Sequence, residues 1–227
     1  MKKGFTLSEV LLTLVIIGIV AAFTIPSIVN YTKDIELKSK AKKTYAMLSQ
    51  AMVLASLDGF QPDLVIQYNS DKLIKQWFDR YFAKNLSVMK TCVNSSGCWN
   101  SGDTYYLKGG TVYTNKTGIG VGNNILTAVL NDGTFINIDG YASKSMKERW
   151  GIDVGDGNNA LIIIFDVNGD KKPNTFGRDI YGAVFDGKTL IPPFRDYPEK
   201  VKTDCSRKGT GYSCLYKLVE KGSNLND

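Results

Sequence analysis

Asp166, Asn168 and Asp170, in the stretch FDVNGDKKPNTFGRD, place side-chain oxygens at every second position, the donor type that a hard cation such as calcium takes. The run is not an EF-hand. Counted from Asp166, Lys171 stands where the loop glycine would be, and Gly177 where the bidentate acid would be. The same Asp, Asn, Gly and Pro residues also suit a strand-connecting turn, so cation binding and a plain turn both remain open. Calcium is the one cofactor the sequence suggests, and nothing in it requires any.

The four cysteines, Cys92, Cys98, Cys205 and Cys214, fall into two sequence-local pairs without CxxC spacing, which fits zinc and thioredoxin-like chemistry poorly. Disulfides fit better, with four free thiols as the alternative. Of the three possible connectivities, loop-closure entropy favours Cys92 with Cys98 and Cys205 with Cys214. Such bonds would place that part of the chain in an oxidising compartment. The chain has no histidine, which removes Ser-His and Cys-His catalysis and imidazole metal ligation. No catalytic residue is nominated, and the chain is not expected to be an enzyme.

The remaining chemical oddity is Glu9, an acid inside an otherwise apolar run. Phe5 to Ile25 would extend roughly 30 Å as a helix, long enough to cross a bilayer. A charge within such a span costs on the order of 3 kcal/mol, so Glu9 needs a partner. Lys2 and Lys3 place the short N-terminal end in the cytoplasm by the positive-inside rule and send the rest outward, in agreement with the disulfides. Gly18 and Pro26 weaken the helix, by backbone entropy and by a missing N–H, and mark the place for a kink or local melting.

The stretch KKGFTLSEVLLTLVIIGIVAAFTIP resembles the N-terminal signal and helix of type IV pilins and pseudopilins, and the likeness extends over about the first 55 residues. Gly4, Phe5, Thr6, Leu7, Glu9, Gly18 and Pro26 fall where that family's pattern has them. The resemblance implies cleavage between Gly4 and Phe5 by a prepilin peptidase, N-methylation of Phe5, and retention of the apolar helix as the core of a filament. It also implies an inner-membrane assembly platform and other pilin or pseudopilin subunits as partners. Cleavage would expose an amine on Phe5, and in a low-dielectric filament core that amine of one subunit can compensate Glu9 of another.

From these features follow a leader at residues 1–4, a membrane span at 5–25, an amphipathic continuation at 26–57 and an extracytoplasmic domain at 58–227. In the continuation, Ile28, Tyr31, Ile35, Ala41, Tyr45, Leu48, Met52 and Ala55 recur in steps of three and four, so one face should pack on the domain. Lys33, Lys38, Lys40, Lys42 and Lys43 occupy the other side, suited to solvent or membrane lipid headgroups, with DNA capture as the alternative. The formal charge of +6 does not by itself argue for nucleic acid.

Farther on, DKLIKQWFDRYFAKNL places Leu73, Ile74, Trp77, Phe78, Tyr81 and Phe82 on one helical face. TYYLKGGTVYT and NNILTAVLNDGTFINID are predicted as hairpins, the second turning at Asp132-Gly133, and ALIIIFDV and DIYGAVFDGKTLI as further strands. TGIGVG lacks dinucleotide-loop spacing and is predicted as a flexible loop. The expected fold is α+β, a long N-terminal transmembrane and amphipathic helix packed on a pilin-like domain with an antiparallel sheet. The expected function is that of a structural subunit of a type IV pilus or a type II secretion-like filament. The alternative is a minor or tip subunit that binds DNA, a secreted protein or a surface. The expected location is the inner membrane, single-pass with the domain outside the cytoplasm, and then a cell-surface or periplasmic filament.

Overall fold

The structure, a computed structural model, describes residues 4, 6–62, 71–99, 104–114, 125–155 and 158–219. The predicted TGIGVG loop lies outside them. Two compact units divide at Glu36 and Leu37, and helix α1 (Leu7–Leu57) begins in the first and ends in the second.

The first unit, Met1–Glu36, contributes the apolar part of α1, where Leu7 and Phe23 are each 78% exposed and every large apolar side chain from Leu7 to Tyr31 stands open. Its most apolar window has mean hydropathy 2.5 and no buried residue, so this helix is long and apolar enough to cross a membrane. Three threonine hydroxyls along it are satisfied locally. Thr13 donates to the Val10 carbonyl at 2.9 Å, Thr24 to Val20 at 2.9 Å and Thr32 to Ile28 at 3.0 Å, which suits a helix with no water beside it. Helix α1 runs through Gly18 and Pro26 without a break.

In the second unit, Leu37, Ala41, Leu48, Ala51, Met52 and Ala55 form the buried stripe of α1. This differs from the sequence expectation at its start, since Ile28 and Tyr31 are more than half exposed and the packed face begins only at Leu37. Helix α2 (Asp71–Tyr81) buries Ile74, Trp77 and Phe78, and a single 3-10 turn (Ala83–Asn85) follows it where a longer helix was expected. The sheet then runs as an antiparallel meander in chain order: β1 (Val88–Val93), β2 (Leu126–Leu130), β3 (Phe135–Ala142), β4 (Asn159–Asp166), β5 (Ile180–Phe185) and β6 (Leu190–Ile191). Helices α3 (Ser143–Trp150), α4 (Pro198–Asp204) and α5 (Cys214–Val219) complete the order.

The uninterrupted apolar run of β4 has a simple cause. Leu161, Ile163 and Phe165 belong to the core shared with α1 and α2, whereas Ala160, Ile162 and Ile164 belong to a second core with Trp99, Met146 and Trp150, so both faces of the sheet are covered. Gly182 of β5 supports that second core. A Cβ there would come within 2.4 Å of Trp150 Cζ3, so the indole rests where a side chain would stand. The predicted hairpin at Thr104–Thr114 is reduced to one antiparallel bridge, Tyr106 with Val112, and Tyr106 bridges Thr175 on its other side.

Candidate functional site

At the N-terminal end, the backbone N–H of Thr6 donates to Glu9 Oε2 at 2.9 Å, the Thr6 hydroxyl donates to the same oxygen at 2.8 Å, and the Glu9 N–H donates to Thr6 Oγ1 at 3.3 Å. This is a reciprocal capping box, in which Thr6 and Glu9 satisfy amides that the first helical turn leaves open. Sequence reasoning did not assign Thr6 this role, although Thr-Leu-Ser-Glu ahead of an apolar run spells it out. Gly4 is exposed with no atom within 4 Å of where its Cβ would stand, whereas Phe5 lies outside the described residues.

The second candidate is the loop that joins β4 to β5. Asp166 ends β4, and its Oδ1 accepts the N–H groups of Asn168 at 3.0 Å and Gly169 at 3.1 Å. Gly169 takes φ of 63°, and a Cβ there would stand 2.7 Å from the Gly133 carbonyl oxygen, so only glycine lets this turn lie against the β2–β3 turn. Asp179 closes the loop from the far side. Its Oδ2 accepts the Asn174 N–H at 2.8 Å, its Oδ1 accepts the Thr175 N–H at 2.7 Å, and its carbonyl accepts the Val167 N–H at 3.0 Å.

Both carboxylates are buried, Asp166 at 1% and Asp179 at 0% exposure. Burial first, and then the charge of Asp179, push the Asp166 carboxyl up to about 8, against the pull of the Asn168 and Gly169 amides and of Lys40. Burial likewise raises Asp179. Three buried oxygens around this pair, Asp166 Oδ2, Asn168 Oδ1 and Asn174 Oδ1, have no hydrogen-bond partner among the described residues. The loop thus gathers two buried carboxyl groups, one of them with an unpartnered oxygen, and two unpartnered carboxamide oxygens, a cluster of oxygens only.

The composition of this set differs from the sequence expectation. Asp166 and Asn168 belong to it, but Asp170 is exposed, and Asp179 and Asn174 take its place. Among the described residues, no group of three or more His, Cys, Asp or Glu stands together, so carboxamide oxygens are an essential part of any such site.

Cys92 is bonded to Cys98, with Cα atoms 5.8 Å apart, at the end of β1, and Cys205 to Cys214, at 4.9 Å, where α4 meets α5. An exposed apolar helix that opens on a cap and is prolonged into a disulfide-bonded α+β domain fits a membrane-anchored precursor. Residues 1–25 match the family model of the prokaryotic N-terminal methylation motif, the signature of type IV pilins and pseudopilins. No curated protein and no solved structure matches this chain.

Proposed function

We propose that this chain is a structural subunit, a pilin or pseudopilin, that assembles through its N-terminal helix into a type IV pilus or a type II secretion-like filament after prepilin peptidase cuts between Gly4 and Phe5. The observation that carries this reading is the continuity of the methylation motif with an apolar helix whose large apolar side chains from Leu7 to Tyr31 are exposed. Such a surface is stable in lipid before assembly and among other subunits' helices after it. The reading is non-enzymatic, since extraction by an inner-membrane platform and lateral packing are the work. The leader, span, continuation and domain would divide at residues 4, 25 and 57, with the domain outside the cytoplasm. Melting between Gly18 and Pro26 would belong to the assembled state.

Co-expression of the full chain with a prepilin peptidase tests this. Intact mass should show loss of Met1–Gly4 and a methylated Phe5, and the processed chain should appear in the sheared filament fraction. An unprocessed chain confined to the membrane would overturn the proposal. A processed chain present only in trace amounts in filaments would favour the minor or tip subunit.

The loop from Asp166 to Asp179 supports a second element of this reading, calcium binding by Asp166, Asn168, Asn174 and Asp179. Two unpartnered buried carboxamide oxygens beside two buried carboxyl groups, one of which has an unpartnered oxygen of its own, carry it. A divalent cation there would supply only charge neutralisation, and would fix the β4–β5 loop against the β2–β3 turn.

A further inference from the structure

We propose that the outer edge of β1, with the face of α2 beside it, is a docking site for an extended, acidic peptide segment of a partner protein, which adds to the sheet as a further strand. In the β1–β2 ladder the Asn94 N–H donates to the Ile125 carbonyl at 3.0 Å, and the register pairs Val93 with Leu126, Cys92 with Thr127 and Thr91 with Ala128. Antiparallel pairs alternate between bonded and non-bonded, so the backbone of Cys92 faces β2, whereas Thr91 and Val93 turn their N–H and C=O groups away from the sheet. On that side neither residue has a backbone partner among the described residues.

The other edge of the sheet is closed. On β6 the Leu190 carbonyl accepts the Tyr45 hydroxyl of α1 at 2.7 Å, and Pro192 and Pro193, which have no N–H, follow the strand. The open stretch of β1 is short and held in place. A bulge between Val88 and Lys90 bounds it at one end. At the other end Asn94 leaves the strand with φ of 48°, and its Oδ1 accepts the Ile125 N–H at 2.9 Å. The Cys92–Cys98 disulfide and the bond from Lys90 Nζ to the Gly97 carbonyl, 2.9 Å long, hold the connection beyond it. Thr91 to Val93 is therefore extended before anything binds, which lowers the ordering cost of docking.

Alternating donors and acceptors at strand spacing are matched by another extended polypeptide. The side chains around the edge set its charge. Val93 lies opposite Leu126 on the face that shares a core with α1 and α2, and Thr91 shares that face by alternation. There Thr91 and Val93 line an open groove of about 470 Å³ with Lys72, Lys75, Gln76 and Asp79 of α2. Asp79 is paired with Lys75 at 2.5 Å, and exposed Lys72 has no acid beside it among the described residues. Lys90 stands on the opposite face, and its bond to a carbonyl leaves its charge in place. Acidic side chains on either face of an added strand thus meet a lysine, and Met89, 65% exposed at the bulge, offers an apolar contact. A second copy of β1 would bring the same lysines against their like, so the partner strand has a different, acidic sequence.

The test uses the full chain in zwitterionic detergent and a short, end-blocked peptide of alternating valine and glutamate. At saturation the peptide should slow hydrogen exchange of the Thr91 and Val93 amides at least about tenfold, a readout that attraction between charges alone would not move. The same peptide N-methylated at every residue keeps its charges but has no N–H to donate, and should bind at least about tenfold more weakly. A valine–lysine peptide should bind more weakly still. Lys72→Glu should weaken the acidic peptide about threefold and leave Tm near the parent's. Absence of binding at millimolar peptide would overturn the proposal, as would unchanged exchange at Thr91 and Val93 or equal binding of the N-methylated peptide. Equal binding of the lysine peptide would overturn the acidic character of the partner. Self-association of the chain that the peptide competes away would overturn it in favour of a contact between copies. None of these outcomes bears on the methylation motif, so the filament reading stands or falls separately.

Discussion

Glu9 and Thr6 satisfy each other within one chain: a single carboxylate oxygen of Glu9 accepts both the N–H and the hydroxyl of Thr6, and the Thr6 hydroxyl oxygen accepts the Glu9 N–H. The acid therefore has a local role in starting α1, distinct from any pairing with the amine of a neighbouring subunit. A substitution that removes both charge and acceptor cannot tell the two roles apart.

Two substitutions separate them. Glu9→Gln keeps an oxygen for the cap but no charge to offset a buried amine, and Thr6→Val removes the hydroxyl but leaves the charge. If intersubunit pairing governs assembly, Glu9→Gln should be processed normally and fall by about an order of magnitude or more in sheared filaments, while Thr6→Val assembles. Normal assembly of Glu9→Gln together with failure of Thr6→Val would assign Glu9 to capping alone.

Calcium gives a second expectation. At a hundredfold excess over its Kd it should stabilise the folded domain by about 2.7 kcal/mol, several degrees in Tm for a domain of this size. Asp179→Asn should abolish that rise, because it removes one of the two buried carboxyl groups, and Asp170→Asn should leave it intact, because Asp170 is exposed. A melting curve that ignores both calcium and chelator would leave the loop as a plain turn.

The same pair sets a pH dependence when calcium is chelated. Asp166 in the folded domain is held at about 8 against an ordinary 3.8, so over that window the folded chain keeps a proton that the unfolded chain releases. The stability this provides is complete below the lower value and is lost as pH rises through the upper one. Denaturation in chelator should show a decline on the order of 4 kcal/mol between about pH 5 and about pH 8, and Asp166→Asn should flatten it. A flat profile in the parent would mean that the loop relaxes to admit water.

How much of this was legible in the sequence varies with how local each feature is. The apolar helix with Gly4, Glu9 and Pro26, the sequence-local cysteine pairs, and strands β2 to β5 all depend on nearby residues and could be read directly. Helix α3 could not, since its only buried apolar side chains are Met146 and Trp150, too few to show a period. The donor set around Asp166 was half legible: Asn168 is two residues away, but Asp179 and Asn174 return to it only through the loop closure, whereas alternate spacing pointed to Asp170, which faces solvent.

The packing of Trp150 on Gly182 supplies the last expectation, because a Cβ at Gly182 would overlap the six-membered ring of the indole at Cζ3 and Cη2, 2.4 and 2.7 Å away. Strand β5 is buried along its whole length and paired with β4 on one side and β6 on the other, so the backbone has little room to yield. Gly182→Ala should therefore destabilise the domain by roughly 1 to 3 kcal/mol, the usual cost of overpacking. Trp150→Phe removes the outer ring atoms, and the indole Nε1 it also removes has no hydrogen-bond partner among the described residues, so its own cost is the loss of apolar packing. The two changes should couple: in the Trp150→Phe background, Gly182→Ala fills the vacated space and costs less than in the parent. Chemical denaturation of the parent, both single variants and the double variant closes the cycle. Additive losses would show that Gly182 is required for the strand backbone itself and not for seating Trp150.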